Sequence, residues 1–241
     1  MKKNNLKAAV NFVESIFFPQ SCIFCGELIE ADEFVCDNCR DNLPVIEGEI
    51  CNKCGREKEK CECSKSSENF YDGIIAPFYF EGGVRSAIFR FKFSGEKSVV
   101  EPLADYMSEC FTKRYRDITF DYVSYVPMDM KRQKNRGYNQ SRLLAQRLSA
   151  KLGITFADEM LVKICNTDIQ HDLHYIERSG NIFGAFDVND SFSLNGKTVL
   201  LIDDIKTTGN TLDECAKMLK LYGADKVFCL TAAVVNSKIK K

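Results

Sequence analysis

A chain of 241 residues with 45% apolar and 28% charged content can bury one good core and carry a small extra module, which excludes a disordered chain. The formal net charge of −1 gives no global attraction to nucleic acid, so any anion-binding surface has to be local. No apolar run approaches the roughly 20 residues of a membrane span, which excludes helical insertion into a bilayer.

Residues 1–20 carry Lys2, Lys3 and Lys7, with Leu6, Val10, Val13, Ile16 and Phe17 at helical spacing. An amphipathic helix lying on its own domain accounts for this segment better than a signal peptide, because no small-residue cleavage site follows. The expectation is a cytoplasmic protein whose twelve cysteines stay reduced rather than forming a disulfide framework.

Eight cysteines come next, as Cys22-x-x-Cys25, Cys36-x-x-Cys39, Cys51-x-x-Cys54 and Cys61-x-Cys63. Two such knuckles complete a four-sulfur shell of the kind that holds structural zinc, so four clusters imply two ions. The segment from Ser21 to Lys65 is short, polar and too poor in large apolar residues to order itself. Metal supplies the deficit, since structural zinc contributes roughly 10–16 kcal/mol of apparent free energy in small peptides. A redox Cys-x-x-Cys site does not explain four successive clusters, and ferredoxin-type spacing is missing. Two groupings of the ligands stay open. The sequential one, Cys22, Cys25, Cys36, Cys39 and then Cys51, Cys54, Cys61, Cys63, closes the shorter loops, and a crossed one is the alternative. Residues 1–65 hold nine Lys plus Arg against twelve Asp plus Glu, so this module is a poor phosphate binder, better suited to protein contact or to propping its neighbour.

The polar run Lys65-Ser66-Ser67-Glu68-Asn69 marks the boundary between a module over 1–66 and a second domain over 67–241. Alternating apolar runs and helical stretches then predict an α/β domain with a mainly parallel sheet. Helices are expected at 99–115, 141–152 and 211–222, and strands at 120–126, 198–202 and 226–235. Cys215 and Cys229 fall on apolar faces and read as small core residues, two of the four cysteines scattered singly with Cys110 and Cys165. From Lys131 to Ala157 there are Lys131, Arg132, Lys134, Arg136, Arg142, Arg147 and Lys151 with no acidic residue, a concentrated anion-binding stretch. The first four are expected in a loop and carry that reading better than Arg142 and Arg147, for which solvating a helix face is the usual fate. Lys92 and Lys97 can add to the same surface. His171 and His174 read as surface residues without metal partners.

The segment from Thr198 to Leu212 carries the chemistry. An apolar strand ends at Asp203 and Asp204, then turns through Thr207, Thr208 and Gly209 into a helix whose Thr211-x-x-Glu214 start has the form of a capping box. Ligands of open α/β sheets sit at such strand ends. Backbone N–H groups and threonine hydroxyls suit a phosphate monoester, while the carboxylates suit a vicinal diol, which together describe a ribose 5-phosphate. A Walker ATPase reading of Gly196-Lys197-Thr198 with Asp203-Asp204 fails, because that Gly-Lys-Thr opens a strand rather than a helix.

Asp203-Asp204-Ile205-Lys206-Thr207-Thr208-Gly209-Asn210-Thr211 resembles the phosphoribosyl pyrophosphate (PRPP) motif of type I phosphoribosyltransferases. With the cysteine ladder, Arg136-Gly137-Tyr138-Asn139-Gln140 and the segment Gln170 to Phe186, nearly the whole chain resembles the ComF (ComFC-like) competence family. The resemblance implies a double zinc ribbon followed by a type I phosphoribosyltransferase-like parallel sheet with helices on both faces. It implies that Asp203 and Asp204 hold ribose hydroxyls with Mg²⁺ nearby, and that Thr207, Thr208, Gly209 and Thr211 bind the 5-phosphate. Residues 128–140 correspond to the pyrophosphate loop, with Lys131, Arg132, Lys134 and Arg136 on anions and Tyr138 available for stacking. Gln170, Arg178 and Asn181 match the family's hood. The implied role is the handling of internalised single-stranded DNA during transformation, with PRPP and single-stranded DNA as partners and competence-machinery proteins reached through the zinc module. A phosphoribosyltransferase of nucleotide or base salvage, with Asp203 and Asp204 catalytic, is the alternative.

Overall fold

The computed structural model describes residues 20–30, 33–64, 68–164 and 185–236. Expectations for the N-terminal helix, for the boundary at 65–67, for Cys165, His171 and His174, and for the hood residues Gln170, Arg178 and Asn181 lie outside the described residues.

Two nine-residue strands, β7 (Thr198–Lys206) and β8 (Lys226–Val234), set the architecture. Along β7, Val199 and Leu201 join one apolar cluster and Leu200 and Ile202 another, all four completely buried. A strand buried on both faces belongs inside a parallel sheet covered by helices on each side. The sheet is completed by β1 (Gly73–Ile75), β2 (Phe78–Tyr79), β3 (Tyr122–Tyr125) and β4 (Thr155–Phe156), in the order β1-β8-β7-β3-β4 with β2 also on β8, and every pairing is parallel. A separate antiparallel pair joins β5 (Leu161–Lys163) to β6 (Phe186–Val188).

A six-residue helix α1 (Asp37–Asn42) lies within the cysteine module. On one face of the sheet lie α2 (Gly82–Phe93), α3 (Val100–Tyr115) and α5 (Gln140–Leu152), which bury Ile88, Phe91, Leu103, Met107, Leu144 and Leu148 against Leu200, Ile202 and Leu230. On the other face α6 (Asn210–Leu221) buries Leu212, Cys215 and Leu219 against Val199, Leu201 and Cys229. Cys215 and Cys229 are thus core residues, as their apolar settings imply.

Three expectations change. The strand expected to stop at Ile202 continues to Lys206, because its register with β8 persists through Asp203 opposite Thr231 and Lys206 opposite Val234. The two carboxylates therefore sit inside the ladder, on a rigid backbone. The basic loop contains a helix, α4 (Met130–Arg136). Asp129 caps it by accepting from the N–H groups of Lys131 and Arg132 at 2.9 and 3.4 Å, and the unbranched run that follows sustains a helix until Gly137 turns left-handed. Lastly, α6 is capped by Gly209 at φ +95°, and Thr211 lies inside the helix, so the capping box does not form.

The cysteine module is knitted to this sheet. Ile23 and Phe24 are buried in the same core as α2, with the Phe24 ring edge-on to Phe78 at 6.0 Å. Gly83 lets α2 approach so closely that an added Cβ would meet that of Phe24 at 2.8 Å. At the Cys51–Cys54 knuckle, Asn52 O accepts from Ile74 N at 3.1 Å, Lys53 O accepts from Tyr71 OH at 2.6 Å, and Arg56 Nε donates to Val235 O at 3.0 Å.

Candidate functional site

The end of β7 gathers groups from three other elements. Asp203 accepts hydrogen bonds from Ser141 Oγ at 2.8 Å and from Asp204 N at 2.9 Å. Ser141 is placed by Asn139, whose Oδ1 caps α5 at Ser141 N and whose amide donates to Val126 O at the end of β3. Asp204 is buried and paired with Lys92 Nζ of α2 at 2.8 Å. Burial, and then the like charge of Asp204, push the Asp203 pKa up to about 7, against the pull of the Ser141 hydroxyl.

Beyond the carboxylates, Thr207 and Thr208 are exposed and Gly209 adopts the left-handed conformation that ends the turn. A side chain at Gly209 would be strained in its backbone and would meet Lys206 Cε at 2.9 Å. The first turn of α6 leaves N–H groups without intrahelical partners beside these hydroxyls. Acid groups that accept from a diol thus adjoin donors that suit a phosphoryl group. The sequence-predicted Asp203, Asp204, Thr207, Thr208, Gly209 and Thr211 all come to this one junction.

The basic stretch divides as its residues' settings dictate. Arg142 forks onto Asp158, whose carboxylate also accepts from Tyr125 OH, Arg147 pairs with Glu101, and Lys151 pairs with Glu101 and Asp105. Lys131, Arg132 and Lys134 are exposed on α4 and, with Arg136, have no carboxylate partner among the described residues. Tyr138 departs from expectation. It is only 9% exposed, its ring stacks on buried Phe91 at 5.7 Å, Lys97 Nζ covers it at 4.9 Å, and its hydroxyl donates to Phe91 O. Tyr138 positions the loop and is not available for stacking on a ligand. Lys92 and Ser141, which hold the carboxylates, carry no spacing signal that ties them to residues more than 60 positions away.

The eight cysteines converge in the sequential grouping, each set with its sulfur atoms within 4.8 Å of one another. Cys25 and Cys36 sulfurs are 3.7 Å apart, as are those of Cys54 and Cys61. A tetrahedron of about 2.3 Å zinc–sulfur bonds has edges of about 3.8 Å, so both sets fit zinc. Knuckle amides point at the sulfurs, with Cys39 N donating to Cys36 Sγ and Cys63 N to Cys61 Sγ, each at 3.4 Å.

One side chain lies between the second cysteine set and the Thr207–Gly209 turn. Lys206 is 6% exposed and has no carboxylate partner among the described residues. Burial lowers its pKa, Cys54 and Cys63 favour its charged form, and Arg56 opposes them. A tetrathiolate around a dication keeps net negative charge, which a buried ammonium offsets. Its backbone O accepts from Val235 N at 3.0 Å, the residue whose carbonyl receives Arg56.

Comparison with known proteins finds a family for each part of the chain. The double zinc ribbon domain family matches residues 13–68 and the phosphoribosyl transferase domain family matches residues 138–241. Competence protein F of Haemophilus influenzae is 30% identical over 223 residues, covering 88% of this chain and 95% of that protein. Competence protein ComFC of Bacillus subtilis is 30% identical over 201 residues, covering 80% of each. The DNA utilization protein YhgH of Escherichia coli K12 is 26% identical over 214 residues, covering 87% of this chain and 88% of that protein.

Replacing Lys206 with Met is expected to make the second cysteine set release zinc to a competing chelator about 10–100-fold more readily while the first set is unchanged. Equal release from both sets would show that Lys206 gives the second set no particular support. The raised Asp203 pKa has a definite sign: the folded chain binds this proton more tightly than the unfolded chain, so stability falls as pH rises from about 4 toward about 7. Asp203→Asn should therefore be more stable than the wild type in denaturant melts at pH 8 and match it at pH 4, and a stability difference independent of pH would contradict the assignment.

Proposed function

The chain belongs to the ComF family of competence proteins, and on that footing we propose that it binds PRPP at the β7–α6 junction and acts on internalised single-stranded DNA in the cytoplasm. Asp203 and Asp204 accept from the ribose hydroxyls. Thr207, Thr208, Gly209 and Thr211 hold the 5-phosphate with hydroxyls and helix-terminal amides. The pyrophosphate lies toward the cationic helix α4, where Lys131, Arg132, Lys134 and Arg136 offset its charge. Mg²⁺, if it accompanies the diphosphate, would supply further positive charge, and the carboxylate oxygens of Asp203 and Asp204 are the hard donors that would suit it.

The observation that carries this reading is the adjacency, at the end of one buried strand, of a carboxylate pair and a left-handed glycine turn opening a helix. Neither a core strand nor a simple helix cap requires both. The DNA half of the reading is supported by the names of the relatives and by cations on α4 that the fold does not neutralise. Among the described residues no helix is long and apolar enough to cross a membrane. In this reading the zinc module braces the phosphate turn and offers a surface to other competence proteins.

Calorimetry with PRPP and Mg²⁺ tests the sugar-phosphate assignment. Asp204→Asn should weaken binding by about 1.5–3 kcal/mol, roughly tenfold to a hundredfold, and unchanged affinity would remove the ligand from this junction. For DNA, replacing Lys131 and Lys134 by Gln should flatten the dependence of log affinity on log salt by about 0.7 for each phosphate that the variant no longer neutralises. An unaltered slope would place the phosphates away from α4.

A further inference from the structure

Helix α2 carries phenylalanines of two kinds. Phe91 is buried beneath Tyr138, whereas Phe89 and Phe93, four residues apart on another face, are 44% and 67% exposed. The two exposed rings stack on each other at 5.7 Å with 28° between their planes, and Phe80 extends the row at 6.1 Å from Phe89. Stacked rings left in water keep apolar surface that packing elsewhere would bury. Each has a guanidinium over it, with Arg85 Cζ 5.5 Å from the centre of Phe89 and Arg136 Cζ 4.9 Å from that of Phe93. Neighbouring ion pairs take Arg90 to Glu96 and Lys92 to Asp204, and among the described residues none takes Arg85 or Arg136.

Resting on the DNA reading above, we propose that this strip is the surface on which a single strand lies, with bases taking the places that the guanidinium groups now hold over Phe89 and Phe93, and with Arg85, Arg136 and the exposed cations of α4 turned to the phosphates. The chemistry selects the ligand. Flat rings accept any base through its face, and unneutralised arginines beside them accept the backbone. A duplex hides its base faces within the stack and has no use for the rings. Arg136 joins the two halves of the strip, since it belongs to α4 and covers Phe93, while its Nη1 donates to Gln140 Oε1 at 3.3 Å. Lys92, one residue before Phe93, rests on Asp204, so the strip borders the carboxylate site.

Fluorescence anisotropy of the full chain with a labelled thymidine oligonucleotide of about 20 residues, beside an abasic strand of equal length, tests the proposal. The wild type should prefer the strand with bases. Phe89→Ala with Phe93→Ala should weaken binding about five- to hundredfold per ring, abolish that preference, and leave PRPP affinity unchanged. Phe89→Leu with Phe93→Leu keeps apolar bulk without a ring and should show most of the same loss with an unaltered thermal melt. Equal binding of the two strands by the wild type, or wild-type affinity in both double variants, overturns the proposal while leaving DNA binding elsewhere intact. Self-association of the wild type that the alanine variants abolish, with oligonucleotide affinity untouched, overturns it in favour of a contact between copies. A wild type that binds neither strand ends the DNA reading and this surface together.

Discussion

Two carboxylates fixed side by side at the end of a buried strand repel each other and resist leaving water, and the surrounding elements answer that tension. Lys92 comes from α2 to Asp204, and Ser141 comes from the first turn of α5 to Asp203. Asn139 anchors that turn to β3, while Tyr138 and Gln140 tie it to Phe91 O of α2. The run Arg136 to Ser141 is therefore a bracket, the last residue of which holds an acid group in place. Burial and the neighbouring carboxylate keep the charged form of Asp203 unfavourable in the free protein, a cost that a hydrogen-bond donor or a cation placed there would offset.

The cysteine module belongs to the same arrangement. It is too small to order itself, so metal supplies its stability, and its apolar residues Ile23 and Phe24 are buried in the core of the sheet domain. The Cys51–Cys54 knuckle grips the sheet where the Thr207–Gly209 turn begins, through Asn52 on β1, Lys53 on Tyr71 and Arg56 on Val235. Tyr71 OH also lies 3.5 Å from where a side chain at Gly209 would begin. Zinc thus stiffens one wall of the turn, and Lys206 carries the electrostatic part of that support.

Patterns confined to one segment were legible in the sequence. Ladder spacing identified the ligands of both cysteine sets and favoured the grouping that forms, and apolar period located the helices over 100–115, 140–152 and 210–221. The strand-turn-helix junction was legible because its strand, acids, hydroxyls and glycine are consecutive. The failures have a common cause. Strand β7 overran its apolar segment because pairing with β8, not hydrophobicity, decides where a strand ends. Tyr138 was misplaced because an aromatic beside arginine and glycine looks exposed until Phe91, 47 residues away, is seen beneath it. Lys92, Ser141 and Lys206 act on partners that only folding brings near.

Net charge is a poor guide to anion binding in this molecule, since what matters is which cations the fold leaves without a carboxylate. The three basic residues of α5 that point to carboxylates are neutralised by Asp158, Glu101 and Asp105. Those of α4 are not, although both helices come from one acid-free stretch. The difference follows from packing: α5 lies against α3, whose first turns supply Glu101 and Asp105, and Asp158 just beyond β4 meets Arg142, whereas α4 is a short capped helix whose cations pair with no carboxylate among the described residues. An unneutralised cation bonds to water and releases it readily to phosphate, while a paired one has to break its bridge first. The same distinction separates the phenylalanines of α2, since Phe91 gives its face to Tyr138, whereas the ring contacts of Phe89 and Phe93 among the described residues are with each other, Phe80 and arginine. Groups left with unused binding capacity therefore gather on α2 and α4, beside the β7–α6 junction.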